Sequence, residues 1–311
     1  MEVVSEGIRR ITFSLPLGID HVHCYFLRSS SGGWTLVDTA IAIPGAREQW
    51  ERELEALDGP VERIFVTHFH PDHVGGAALV AELTGAPVIQ GRLDYEYCVG
   101  AWGTDEAGDR SAELLVTQGM PVAEAEVVRE HHALLRSAVR FVRDPSLVEP
   151  GSFVDGWEVL HLPGHADGHL ALWREGVLVA GDALLGDITP NVGIYPRSQP
   201  DPLAEYLDSL AQIASLDPEI ALPGHGSVIG SPAARARELA GHHEDRLDET
   251  AGALDGRPQS PYEVSLVLFP DEFAPAVRRM ALAETLAHLE HLAIRGQIAR
   301  HDDNGRVLYS R

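Results

Sequence analysis

Lysine is absent: all 24 basic residues are arginine, which removes any Schiff-base chemistry built on an ε-amino group. Cysteine is nearly absent too. Cys24 and Cys98 are too few for a disulfide framework, and their apolar and aromatic neighbours suit small core side chains better than nucleophiles. No apolar run approaches the roughly 20 residues needed to cross a bilayer, so no membrane span is expected. The opening Met1-Glu2-Val3-Val4-Ser5-Glu6 carries acid where a secretory leader would carry base, and the expectation is a cytoplasmic chain. Positive charge is scarce: 24 basic against 47 acidic residues leave a net charge of -23. Such a surface repels phosphate backbones and disfavours a nucleic-acid partner. With 44% hydrophobic residues in 311, the chain has room for one large soluble domain and a smaller one.

Histidine, by contrast, is concentrated. Thr67-His68-Phe69-His70-Pro71-Asp72-His73-Val74-Gly75-Gly76 follows the apolar run Arg63-Ile64-Phe65-Val66, which reads as a buried strand. Three imidazoles and a carboxylate so close together are costly to bury without a cation. His68 and His70 project from the same side of an extended segment, and Asp72 and His73 follow where Pro71 breaks the ladder. One turn could therefore serve two adjacent metal positions. Imidazole with carboxylate suits zinc, manganese or iron, and a catalytic site keeps a position for water, so further ligands must come from elsewhere.

The remaining pattern supplies candidates. Strands are expected at Ile8 to Phe13, Val22 to Arg28 and Trp34 to Asp38, with a turn at Pro16-Leu17-Gly18, then a helix from Pro44 to Leu57. Asp38-Thr39 ends its strand at a polar rim. His21 and His23 read as lining the cleft rim or facing solvent. After the histidine turn come a helix over Gly75 to Leu83 and a strand over Val88 to Gln90. A helical insert over about 93–143 follows, with helices at Ala112 to Thr117, Ala123 to Glu130 and Leu134 to Val142. Its Tyr95, Tyr97, Trp102 and Met120 could line a pocket or form the insert's own core, and His131-His132 is expected at the surface. Strands resume at Ser152 to Val154 and Trp157 to Leu162, ending in Pro163-Gly164-His165-Ala166-Asp167-Gly168-His169. A hairpin runs into Gly181-Asp182, and a helix from Leu203 to Ser215 leads to Ile220-Ala221-Leu222 and Pro223-Gly224-His225-Gly226. Alternating strands and helices indicate a layered α/β domain, and strand ends at one edge share a cleft.

His68-x-His70-x-Asp72-His73, His165 in Pro-Gly-His-x-x-Gly-His, Asp182 after Ala-Gly and His225 in Pro-Gly-His-Gly together resemble the metallo-β-lactamase-fold hydrolases, especially their glyoxalase II-like branch. The resemblance covers about residues 8 to 230. It implies an αββα sandwich with two zinc ions at its edge, iron or manganese being the alternatives. By it, His68, His70 and His165 hold one metal, Asp72, His73 and His225 the other, and Asp182 bridges both. Two metals about 3.5 Å apart can share a hydroxide, which makes a side-chain nucleophile unnecessary. Asp72 and Asp182 thus stand as the catalytic carboxylates. His169 is expected beside the ligands or in the pocket wall, and Tyr195 is a candidate donor to the substrate oxygen. Flavodiiron relatives usually carry Glu where His70 stands, which disfavours redox chemistry at a di-iron site.

Domains are expected at 1–230 and 231–311. The second reads as helices from Pro232 to about Leu254, Pro261 to Phe269 and Pro275 to Arg295, then a hairpin turned at Asp303-Asn304-Gly305. This winged-helix-like pattern resembles the tail of the β-lactamase-like protein 2 group, some of whose members are ribonucleases. Its 10 arginines against 13 acids favour a tail that packs on the catalytic domain, borders the cleft or forms a homodimer contact. His288 and His291 are expected to face solvent. The leading expectation is hydrolysis of a small-molecule thioester, ester or lactone. Its alternatives are a metal-dependent endoribonuclease, an iron-dependent sulfur dioxygenase, and a DNA-binding regulator with a vestigial site.

Overall fold

The computed structural model describes residues 1–15, 20–303 and 305–311. The expected turn at Pro16-Leu17-Gly18 and the tip residue Asn304 lie outside the described residues. In chain order the first part runs β1 (Glu2–Ser5), β2 (Ile8–Ser14), β3 (His21–Arg28), β4 (Trp34–Val37), α1 (Ala46–Glu55), β5 (Val61–Val66), α2 (Pro71–Val74), α3 (Ala77–Thr84) and β6 (Val88–Gly91). The insert comprises α4 (Arg92–Trp102), α5 (Ala107–Thr117) and α6 (Val122–Ala138), and β7 (Ser146–Val148) follows it. Then come β8 (Phe153–Val154), β9 (Trp157–His161), β10 (Leu170–Arg174), β11 (Val177–Gly181), α7 (Pro202–Leu216) and β12 (Ile220–Pro223). The tail is α8 (Pro232–Gly252), α9 (Pro261–Leu268), α10 (Pro275–Ile294), β13 (Ala299–Asp303) and β14 (Arg306–Ser310). Two helices expected at 123–130 and 134–142 are one helix, α6, which ends at Ala138. The strands β1 and β7 had not been expected; β1 is short and exposed, and β7 carries no alternation long enough to read.

Strands β1 to β7 form one sheet in sequence order, and β12-β11-β10-β9-β8 form the other. Their inner faces share a core in which Tyr25, Val37 and Phe65 of the first meet Val159, Leu172, Val179 and Leu222 of the second. Helices α1 and α3 cover the outer face of the first sheet with Trp50 and Val80, while α7, α8 and α10 cover the second. This is the expected αββα sandwich. Parallel neighbours β4 and β5 in one sheet, and β11 and β12 in the other, end at the same edge. Bonds across the layers fix that edge: Leu170 N donates to Thr67 O at 2.9 Å, and Tyr25 Oη to Pro223 O at 2.8 Å.

Insert and tail pack together. Leu115, Met120, Ala125 and Val128 enclose Leu282 of α10, and Tyr262 donates to Glu124 at 3.0 Å. Trp102 and Met120 are thus core residues, and Tyr97 is left to stack on Phe69 with ring centroids 6.0 Å apart. The expectation that His288 and His291 face solvent is overturned, for they are 1% and 6% exposed. The cause is that α10 lies among α6, α7, α8 and α9, which bury the part of it that carries both rings. His291 pairs with Asp201 at 3.0 Å, and His288 accepts from His243 Nδ1 at 3.2 Å while its own Nδ1 donates to Glu284 O.

Burial holds the rings of His243 and His288 down to about 3 and about 4, below the usual imidazole value. The unfolded chain takes up these protons first, so the stabilisation is whole above about pH 6.5 and shrinks as pH falls toward the folded values. By pH 5 each ring costs roughly 2 kcal/mol. Urea unfolding of chelator-treated protein at pH 7.5 and 5.0 is expected to expose this loss, and His243→Leu to lessen it; an identical slope in the variant would refute it.

Candidate metal centre

Strand β5 carries buried Ile64, Phe65 and Val66 into the layers and releases Thr67 and His68 at its end. His70 is still extended, at φ -60° and ψ 148°, and Pro71 then opens the short helix α2. That change of direction separates His68 and His70 from Asp72 and His73. His68 Nε2 and His70 Nδ1 approach to 3.0 Å, and the His70 and His165 ring centroids lie 4.5 Å apart. His165 comes from the loop after β9. In that loop Gly164 sits at φ 118°, and a Cβ there would be 2.3 Å from Tyr206 Cβ, so only glycine lets the turn pass under α7.

Asp182 follows β11, and its carboxylate reaches both halves of the cluster. His165 Nε2 is 3.6 Å and His225 Nε2 3.2 Å from Oδ2, and His73 Nε2 is 3.5 Å from Oδ1. Asp72 Oδ2 lies 3.3 Å from His225 Nε2. Three groups could hold an ion, each with ligand atoms within 4.8 Å of one another: His68, His70 and His165; His68, His73 and Asp182; Asp72, His73 and His225. All seven residues expected from the motifs therefore come together.

A test of fit lies in what the ring nitrogens lack. His73 Nδ1 donates to Asp38 at 2.8 Å, His165 Nδ1 to Asn191 O at 2.9 Å, and His225 Nδ1 to His21 O at 2.5 Å. Each bond fixes the tautomer and points a bare Nε2 inward, as ligating imidazoles require. Those three Nε2 atoms and Asp182 Oδ1 are buried without a hydrogen-bond partner, facing only the other rings and carboxylates of the cluster. Neutral imidazoles and carboxylates converging on one space suit a divalent cation. Without one, the charges compensate each other. Burial would raise the Asp182 carboxyl, but His225 and His73 hold it well below its usual range. Burial would lower His225, yet Asp182 and Asp72 hold it up at about 10.

Supporting residues surround these groups. Asp38, at φ 61°, accepts from Thr67 N and Thr67 Oγ1, each at 2.8 Å, as well as from His73. Asp94 accepts from Phe69 N at 2.9 Å and from Gln90 at 2.6 Å, and burial pushes its carboxyl up to about 8. His23, expected at a rim or in solvent, is 5% exposed; its Nε2 donates to Gly226 O at 2.8 Å, so it clamps the His225 loop. His21 accepts from Gly226 N at 2.9 Å. His169 is fully buried behind His68, and its Nε2 accepts from Asp182 N at 3.1 Å. Tyr195 donates to Asn191 Oδ1 at 2.6 Å, so here its hydroxyl braces the residue whose carbonyl holds His165. Asp38, expected at a polar rim, is instead buried as the partner of His73, because it accepts from Thr67 and His73 inside the layers; nothing in the pattern pointed to Asn191.

Gly224 is not at positive φ, yet a Cβ there would lie 2.3 Å from Asp182 Oδ1 and 2.6 Å from His73 Cε1. Gly224→Ala is expected to displace both side chains and to cut bound metal below that of the wild type. Elemental analysis of the two proteins decides it, equal content counting against the reading.

The family description Metallo-beta-lactamase superfamily matches residues 17–225, and Metallo-beta-lactamase-like, C-terminal domain matches residues 247–311. The chain is similar to Probable metallo-hydrolase YqjP of Bacillus subtilis (strain 168), at 26% identity covering 99% of this chain and 98% of the relative. It is 24% identical to an Atrochrysone carboxyl ACP thioesterase of Emericella nidulans, over 85% of this chain and 72% of the relative. A solved metallo-beta-lactamase family protein from Thermus thermophilus is 35% identical with a TM-score of 0.86, covering 99% of this chain and 100% of its own.

Proposed function

Because the chain belongs to the metallo-beta-lactamase superfamily, we propose that it is a dinuclear, zinc-dependent hydrolase of an activated acyl bond: a thioester, ester or lactone. The observation that carries this reading is the set of inward, unpartnered Nε2 atoms around Asp182. His68, His70 and His165 would hold one ion, Asp72, His73 and His225 the other, and Asp182 both. Bound there, the ions supply an activated water and polarise the acyl oxygen.

The chain's own residues do the rest. Asp72 and Asp182 stay ionised in a buried setting: despite burial, His73 and His225 bring Asp72 down to about 2. His169 holds Asp182 through its backbone, and Asp38 holds His73. Neither cysteine competes as a nucleophile, since burial raises both the Cys24 and Cys98 thiols above the usual range. Similarity to an acyl-carrier thioesterase supports the acyl class, and the acidic composition argues against RNA as substrate.

Metal per chain, measured beside hydrolysis of thioesters, esters, lactones and RNA, tests the proposal. Two zinc ions with acyl hydrolysis are expected. RNA cleavage alone, or iron with oxidation of a thiol and no hydrolysis, would replace it.

A further inference from the structure

A cavity of about 340 Å³ opens where the chain leaving α6 crosses α3, and none of the seven candidate metal ligands lines it. Every charged residue of its wall is an arginine: Arg136, Arg140 and Arg143. The rest of the wall is apolar and includes Ala78, Trp102 and Phe141. In a chain with 47 acidic residues against 24 basic ones, three cations on one wall with no acid among them run against the composition. The fold holds them there. Arg140 N donates to Gly75 O and Ala78 N to Arg140 O, each at 2.7 Å, so the segment after α6 is clamped to the start of α3 on both sides of Arg140. Arg136 Nε donates to Trp102 O at 3.1 Å, and the Tyr95 hydroxyl donates to Arg143 O.

The acids that approach these arginines do so from outside the cavity. Arg136 meets Asp105 at 2.6 Å and Arg140 meets Glu82 at 3.3 Å, but the two carboxylate side chains are 85% and 54% exposed. Glu82 is shared besides, with Arg47 at 2.8 Å. Pairs so open to water contribute less than about 1 kcal/mol each and leave donors free to turn inward. Arg143 has no carboxylate within 4.0 Å among the described residues, and its guanidinium lies over the Phe141 ring with Cζ 5.3 Å from the centroid. Gathering three like charges costs free energy that an anion between them would offset.

We propose that this cavity is a binding site for a phosphate monoester of a small organic molecule, with the dianion among the three guanidinium groups and the organic part on the apolar wall. A guanidinium offers paired N–H donors in a plane, which matches two phosphate oxygens at once. The volume falls at the lower end of the roughly 300–1,000 Å³ of small-molecule sites, and a charged pole beside an apolar wall is their usual composition. The site stands apart from the acyl-hydrolase reading, because it uses none of the residues on which that reading depends.

Calorimetric titration of the zinc-loaded protein at low ionic strength tests this, with AMP, inorganic phosphate and adenosine as probes. The wild type is expected to bind AMP with a Kd below about 1 mM and at least about tenfold tighter than adenosine, which lacks the dianion. Arg143→Met and Arg140→Met should each weaken AMP by about tenfold or more. Arg143→Met breaks no ion pair, so its urea midpoint should match the wild type and the loss is then one of binding, not of fold. The AMP affinity should also survive removal of zinc by a chelator, which separates this cavity from the metal ions as the seat of the anion. Inorganic phosphate should bind more weakly than AMP, because it leaves the apolar wall uncovered. Phosphate bound as tightly as AMP would overturn the monoester and assign the cavity to the free ion. No binding of AMP, binding that disappears with the zinc, or methionine variants that keep full affinity would overturn the site itself.

Discussion

Asp182→Ala is expected to lower metal content and hydrolysis together, the first from about two ions per chain to one or fewer, the second by about 10³-fold or more. The side chain spans imidazoles of both groups, with His165 and His225 within 3.6 Å of one oxygen and His73 at 3.5 Å from the other. Its removal leaves two neighbouring cation positions with Asp72 as the remaining carboxylate among the candidate ligands, so their mutual repulsion is less well offset. Several kcal/mol of transition-state stabilisation are at stake in such a site, which corresponds to that loss of rate. Asp182→Asn keeps shape and removes charge; it should resemble the alanine variant. Elemental analysis and kcat/KM on the same preparations decide the matter. Full metal content with a rate within tenfold of wild type would show that the bridging assignment is wrong.

Asp38→Ala should be the costliest change among residues that approach no ion. Its carboxylate is 2% exposed and accepts three hydrogen bonds, from Thr67 N, Thr67 Oγ1 and His73 Nδ1. Alanine leaves three buried donors unsatisfied, at roughly 1 to 3 kcal/mol each before relaxation. His73 also loses the acceptor that fixes its tautomer, which typically costs about 10- to 100-fold in metal affinity. Asp38→Asn separates these effects. Asparagine tolerates the φ of 61° found here and can still accept from Thr67 N. Its amide, however, would confront the donors of Thr67 Oγ1 and His73. The prediction is that asparagine recovers much of the stability but little of the affinity, as read by urea unfolding of metal-free protein and by competition with a chromophoric chelator. Recovery of both would mean that charge at this position is immaterial.

The candidate ligands were legible because each sits in a short motif where a strand gives way to a bend. His68, His70, Asp72 and His73 share one turn; His165, Asp182 and His225 each follow a glycine-bearing strand end. The alternation of strands and helices indicated a layered α/β domain, and the sandwich itself was implied by the resemblance to the metallo-β-lactamase-fold hydrolases. What escaped was everything that depends on partners far along the chain. His288 and His291 look amphipathic within α10, yet the helix is enclosed by neighbours whose residues lie between 122 and 268. Asn191 has no signal at all, since its importance comes from holding His165 with its carbonyl and α10 with its side chain. That Met120 joins a core likewise depended on how the insert meets the tail.

The stapling of the Asn191 loop to α10 gives the fold an order in time. Synthesis proceeds from the amino end, so the seven candidate ligands, all at or before His225, leave the ribosome well ahead of Met280, Ala283 and Glu284. A nascent chain can therefore bring the candidate ligands together while the loop that steadies His165 still lacks its clamp on α10.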